Sequence, residues 1–169
     1  MDAMDKKTTK LATQLGQALK IKSMTCATAE SCTGGGISQA ITEIPGSSAW
    51  FDRGFVTYSN SAKVQMLQVK QNTLDQYGAV SEEVAMQMVE GALLNSNTDI
   101  AVSVTGIAGP DGGTEQKPVG TVYIACGIKD RQIICNKHVF SGNRATIRQQ
   151  TIISALKSCL NQIKMSDLF

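Results

Sequence analysis

The sequence predicts an α/β fold: a three-layer α/β/α sandwich around a mixed, mostly parallel sheet. Three observations carry that prediction. Helical and extended patterns alternate along the chain, with one hairpin near its end. The stretch Asp99 to Thr105 is short and apolar-rich, the pattern of a strand covered on both faces. At 169 residues the chain has room for one domain with a genuine core and is short for two. Nothing inside it reads as a repeat, a low-complexity tract or a linker, so residues 1–169 are expected to form a single domain.

The elements follow in order. Leu11, Leu15, Ala18 and Leu19 fall at i, i+4, i+7 and i+8, which predicts an amphipathic helix over about 8–20. Met24 to Thr28 reads as a short buried strand. It runs through Ala29-Glu30-Ser31-Cys32-Thr33 and three glycines into a helix over Ile37 to Ile44. Pro45 to Ser48 is a loop by composition. Phe55 to Tyr58 is a second strand, after which Asn60 caps a helix carrying Lys63. Ser81 is the expected N-cap of the next helix, with Glu82 and Glu83 at the positive end of its dipole and Ala85, Met88, Val89, Ala92 and Leu93 on one face. Beyond the 99–105 strand lies a long Gly/Pro loop, 106–118. Val119 to Ile128 and Ile133 to Phe140 pair as a hairpin around Lys129-Asp130. A last helix over about 144–163 puts Ile152, Leu156, Cys159, Leu160 and Ile163 on one face.

Composition excludes several classes. Apolar residues at 42% against 18% charged rule out an intrinsically disordered chain. No apolar run approaches the ~18–20 residues that cross a bilayer, and Met1 to Lys7 lacks the apolar core of a signal peptide, so no membrane partner is expected. A formal net charge of +2 implies no nucleic-acid field. The cysteines Cys26, Cys32, Cys126, Cys135 and Cys159 are odd in number and form no C-x-x-C pair, which suits reduced thiols in a cytoplasm. The single histidine, His138, reads as a structural or surface residue of the hairpin. Its solitude removes a His-rich metal shell and leaves little scope for a Ser-His-Asp triad. Neither a metal nor a cofactor is expected, and the chemistry needs a base other than histidine.

Three loops follow strand ends, at 29–36, 58–63 and 105–113, where ligands gather in open α/β sheets. In the first, Ser31 has two readings. It is either a plain N-cap, which local sequence alone favours, or a nucleophile with the N–H groups of Cys32, Thr33 and Gly34 as an oxyanion hole. Cys32 is the rival nucleophile and ranks lower, having no thiolate stabiliser beyond a helix dipole. Glu30 either orients a donor or is an ordinary solvated carboxylate. In the second loop, Tyr58 and Lys63 flank Ser59-Asn60-Ser61. The dipole at a helix start disfavours a charged Lys63, and burial would add to that, by the roughly 3 pKa units an ammonium must lose to act as a base near neutrality. In the third, the glycines from Gly106 to Gly113 allow outward N–H groups that hold an anion or a flat ring. Finally, Arg144 and Arg148 share one face at the start of the last helix, where two cations are unfavourable unless a phosphate sits beside them; the alternative is that both are solvated. Trp50 and Phe51 are read as core packing before a ring-stacking lid or a dimer contact.

These strings together resemble a known family. A-E-S-C-T-G-G at 29–35, V-T-Y-S-N-x-A-K ending at Lys63, G-A-V-S at 78–81, T-G-I-A-G-P-D-G-G-T at 105–114 and K-P-V-G-T-V at 117–122 are similar to the CinA C-terminal-domain family, over about residues 8–163. The stand-alone members of that family deamidate nicotinamide mononucleotide to nicotinate mononucleotide and ammonia, a step in pyridine-nucleotide recycling. The resemblance implies a metal-free site, a cytoplasmic setting and a homodimer or higher homo-oligomer. It makes Ser31 the nucleophile, Lys63 its base, Tyr58 a relay or stabiliser, and Arg144 a phosphate contact. The expected substrate-binding set is Cys32, Thr33, Gly34, Asn60, Thr105, Gly106, Ala108, Arg144 and Arg148. Asn143 stands where the family commonly has aspartate, which removes one negative charge beside Arg144. A non-catalytic nucleotide-binding or partner protein of the same family is the competing expectation, and a deamidase for a different amide is a third.

Overall fold

The computed structural model describes residues 2–166. In chain order these form α1 (Ala3–Ile21), β1 (Cys26–Glu30), α2 (Gly36–Thr42), a 3-10 turn (Ser47–Ala49), β2 (Phe51–Val56), α3 (Asn60–Leu67), α4 (Gln71–Tyr77) and α5 (Glu82–Leu94). The chain continues through β3 (Ile100–Gly106), β4 (Thr121–Ile128), β5 (Ile134–Val139) and α6 (Arg144–Met165). The strands make one sheet in the order β2-β1-β3-β4-β5. β2, β1 and β3 pair in parallel, whereas β3 with β4 and β4 with β5 pair antiparallel. The sandwich and its mixed sheet are thus as the alternating pattern predicts, with α1, α2 and α6 on one face and α3, α4 and α5 on the other.

The two faces of the sheet differ in side-chain size. Toward α1, α2 and α6 the strands present Cys26, Ile100, Val102, Val104, Ile124 and Cys126, which meet Leu15, Ile37, Leu156 and Ile163. Toward α5 they present Ala29, Ala101, Ser103 and Ala125, so that helix lies close enough for the Ser103 hydroxyl to donate to the Ala85 carbonyl at 2.6 Å. The α3 helix then approaches α5 so tightly that a Cβ at Gly91 would overlap the Leu67 carbonyl. Trp50 is 1% exposed and packs over Gly16, where an added Cβ would stand 2.7 Å from its ring. It is a core residue, as read, and truncating such an indole costs about 3–5 kcal/mol.

Several boundaries move, each for a physical reason. α1 starts at Ala3, ahead of the start expected near residue 8, because its first turn is a polar capping box between Asp2 and Asp5. β2 starts at Phe51, not Phe55, and ends before Tyr58. It is an edge strand with an exposed polar run, Asp52-Arg53-Gly54, so it shows no apolar signal. Ser59, not Asn60, caps α3, its hydroxyl accepting from the Ala62 N–H at 3.1 Å. Helix α4 is absent from the sequence reading, since seven residues with only Thr73 and Leu74 buried make no stripe. Val119 lies outside β4 because Gly120 turns the chain with φ +94°. Ser81 caps α5 as expected. His138 sits in β5 and stacks on Phe140 with ring centroids 5.0 Å apart, and all five cysteines are free thiols.

Candidate active site

The sheet delivers Ser31. Its N–H donates to the Val104 carbonyl at 3.0 Å, extending the β1–β3 ladder one residue beyond Glu30. The chain then leaves the sheet through Gly34 and Gly35, with φ of +59° and +99°, which glycine tolerates without penalty. Alternation along β1 puts Glu30 on the same face as Cys26 and Thr28, under α2. Its carboxylate is fully buried and accepts from the Thr33 hydroxyl (2.6 Å), the N–H groups of Gly35 (3.1 Å), Ile37 (3.0 Å) and Ser38 (2.8 Å), and the Ser38 hydroxyl (2.8 Å). Such charge-assisted bonds at the positive end of a helix offset the cost of burying the charge. Glu30 is therefore neither solvated nor idle. It caps α2, and the reading of Ser31 as that cap gives way.

Ser31 instead faces Lys63. The amine Nζ lies 2.9 Å from Ser31 Oγ, 2.9 Å from the Thr57 carbonyl oxygen and 3.4 Å from that of Tyr58. Lys63 is 1% exposed, and burial lowers its pKa from the ordinary lysine value; the neighbouring Cys32 thiol opposes this more weakly. The Cys32 thiol is pushed up to about 11, chiefly by burial, so it is protonated at neutral pH and is the poorer nucleophile. Of the three expected oxyanion donors, Gly34 is spent, its N–H donating to the Ser31 carbonyl at 3.0 Å. The N–H groups of Cys32 and Thr33 reach no acceptor on another residue among the described residues.

A cavity of about 250 Å³ opens over this pair. From the expected set it gathers Ser31, Lys63, Cys32, Tyr58, Asn60 and Arg144, and Thr105, Gly106 and Ala108 close it at the end of β3, whereas Thr33, whose hydroxyl is bound to Glu30, and Gly34 do not line it. Ala79 and Val80, which the residue-by-residue reading passed over, form a further wall. The only signal for them was the G-A-V-S string. Arg144 stands at the mouth, where its Nη1 donates to the Gly109 carbonyl (2.9 Å) and its Nη2 to the Tyr58 hydroxyl (3.1 Å). The Tyr58 side chain is 61% exposed and meets Lys63 only through its backbone carbonyl, so its hydroxyl is tied to Arg144 and not to the reacting pair.

Arg148 does not join this cavity. Its Nε and Nη2 donate to the carbonyls of Cys32 (3.2 Å) and Thr33 (2.8 Å), bracing the loop after Ser31. It lines instead a second cavity with Thr8, Gln39 and Gln149. One helical turn separates the two arginines, and they line different cavities. Asn143 caps α6, its Oδ1 accepting from the Thr146 N–H at 3.0 Å, a task that aspartate performs equally well.

Fold and site define an α/β domain presenting a serine hydroxyl to a buried lysine at the ends of parallel strands, above a small polar cavity. The chain belongs to the CinA C-terminal domain family, which it matches over residues 8–163. It is 52% identical over 158 residues to the nicotinamide-nucleotide amidohydrolase PncC of Escherichia coli strain K12, covering 94% of this chain and 96% of that relative. The PncC of Pseudomonas putida is 51% identical over 90% of this chain and 94% of its own length. Among solved structures, a competence/damage inducible protein, CihA, from Agrobacterium tumefaciens superposes with a TM-score of 0.91 at 43% identity, covering 92% of this chain and 95% of that one.

Proposed function

We propose that this chain is an amidohydrolase that converts nicotinamide mononucleotide and water to nicotinate mononucleotide and ammonia, using Ser31 as nucleophile and Lys63 as base. One observation supports this reading above the others: the set of atoms around Lys63 Nζ. A neutral amine has two N–H donors and one lone pair. Nζ donates to the Thr57 and Tyr58 carbonyls and to Ser31 Oγ; carbonyl oxygens can only accept, so in the neutral amine they keep the two remaining N–H groups and the lone pair turns to the Ser31 hydroxyl. The uncharged form that burial favours is thus also the form that its neighbours orient for proton abstraction.

In this reading Lys63 takes the hydroxyl proton as Ser31 Oγ attacks the carboxamide carbon. The N–H groups of Cys32 and Thr33 hold the oxyanion, which a loop braced by Glu30 and Arg148 keeps pre-aimed. The ammonium of Lys63 then returns its proton to the departing nitrogen, and ammonia leaves. Water, deprotonated by the same amine, cleaves the acyl-enzyme and restores Ser31. Arg144 at the mouth supplies charge for the substrate phosphate, so remote binding energy aligns the amide with the serine. The family resemblance extends the proposal to a cytoplasmic enzyme of NAD recycling acting as a homo-oligomer.

The test is ammonia release from nicotinamide mononucleotide by the purified protein, with a mass spectrum of the quenched reaction to trap the Ser31-linked acyl group. Turnover that disappears in Ser31→Ala supports the assignment. Binding without ammonia release leaves a nucleotide-binding protein in its place, and release undiminished in Ser31→Ala removes the proposed nucleophile.

A further inference from the structure

One wall of the cavity is a backbone segment, residues 77–80, and side chains hold every carbonyl in it. Lys117 Nζ donates to the Tyr77 carbonyl at 3.0 Å and to that of Val80 at 2.6 Å. Between them the Gly78 carbonyl accepts from the Ser81 hydroxyl at 2.8 Å and the Ala79 carbonyl from the Thr105 hydroxyl at 2.7 Å. Four consecutive carbonyls are thus occupied by donors, and Lys117 takes the first and the last. In a planar trans peptide the N–H of the next residue points opposite the carbonyl, and the one cis bond among the described residues lies elsewhere, at Gly109-Pro110. The N–H groups of Ala79 and Val80 are therefore fixed in direction by the Gly78 and Ala79 carbonyls, and neither reaches a protein acceptor among the described residues. Both residues line the cavity that holds Ser31 and Lys63.

We propose that the Ala79–Val80 backbone is a substrate-reading edge whose N–H groups donate to an acceptor oxygen of the bound nucleotide, and that Lys117 is the positioning residue that holds this edge in place. The assignment rests on the proposed amidohydrolase reading. Backbone donors carry no side-chain freedom to lose, so an edge fixed in this way recognises an oxygen at little entropic cost. Lys117 sits outside the cavity and touches no reacting atom. It acts by spanning Tyr77 and Val80, a link between the 117–122 string and the 78–81 string that neither string reveals alone.

The experiment uses a Ser31→Ala background, in which nicotinamide mononucleotide and nicotinamide riboside are titrated calorimetrically with and without Lys117→Met. A loss of about tenfold in affinity, of the size expected for donors that no longer meet their acceptor, supports the proposal. Loss for both ligands assigns the oxygen to the nucleoside, and loss for the mononucleotide alone assigns it to the phosphate. With Ser31 intact, Lys117→Met is expected to raise KM about tenfold with kcat nearly kept, and Lys117→Arg, which retains paired donors, to recover most of it. Unchanged affinity for both ligands, or a fall in kcat alone, overturns the proposal. Should Lys117→Met not fold, Lys117→Gln, whose shorter side chain cannot span the Tyr77 and Val80 carbonyls, is read in the same way. If the Ser31→Ala protein binds neither ligand, the amidohydrolase reading itself has failed, a result distinct from binding that Lys117 does not affect.

Discussion

The inner end of the cavity and its mouth are built on opposite terms. Ser31 and Lys63 are 8% and 1% exposed, each tied to the sheet or to carbonyls beside it, and burial lowers the pKa of the amine. Tyr58 at the mouth is 61% exposed, and Arg144 is held by one carbonyl and one phenol. Interactions at the inner end are little screened and, in the proposed mechanism, act on the reacting atoms, whereas those at the mouth work in or near solvent and act on binding. The lesson is a division between rate and affinity within one small cavity.

Substitutions measure that division. Ser31→Ala has the largest expected effect, a fall in kcat of at least about a thousandfold by ammonia release. Lys63→Met comes next, with a loss of about a hundredfold to ten-thousandfold in kcat. It also removes the alkaline-rising limb of kcat/KM, which lies below the ordinary lysine range because the folded-state pKa is lowered. The same shift bears on stability. Between the folded value and the unfolded one the unfolded chain binds the extra proton, so the contribution of Lys63 is fully present above the unfolded pKa and is lost as pH falls through the folded one. In melting curves across alkaline pH, wild type should accordingly gain stability relative to Lys63→Met as pH rises. A rate limb that persists in Lys63→Met means another group is the base.

Effects at the mouth are smaller and of another kind. Arg144→Ala should raise KM for the mononucleotide about tenfold with kcat largely kept, and the penalty should shrink in high salt and for the riboside, which lacks the phosphate. Tyr58→Phe should cost about threefold or less, all in KM, since the hydroxyl bonds only Arg144; a hundredfold loss in kcat would show that the phenol reaches the reacting atoms after all. The smallest change returns to the inner end. Thr57 Oγ1 is fully buried with no partner among the described residues, so Thr57→Val should stabilise the fold by up to about 1 kcal/mol in thermal or urea unfolding.

The layered fold was readable because its signals are local: apolar periodicity in α1, α5 and α6, and strands followed by glycine. So was the pairing of Ser31 with Lys63, although only the family strings joined two loops 32 residues apart. What escaped was set by partners distant in sequence. Glu30 reads as a solvated carboxylate until α2 folds over it. Arg148 and Arg144 look alike on one helix face until the fold turns them to different cavities. Tyr58 seems a relay until Arg144 claims its hydroxyl. The first residues of β2 and the whole of α4 escaped for a simpler reason, an exposed polar run on an edge strand and a short helix without an apolar stripe.

Glu30 also has a bearing on the direction in which a ligand enters. A strand running through glycines into a helix is ordinarily an anion cradle, and here that berth is taken by the protein's own carboxylate. A phosphate brought to the start of α2 meets a charge of its own sign, while the guanidinium at the rim attracts it. Under the proposed function, a nucleotide would therefore thread the cavity base first, its aromatic head leading and its phosphate trailing at the entrance.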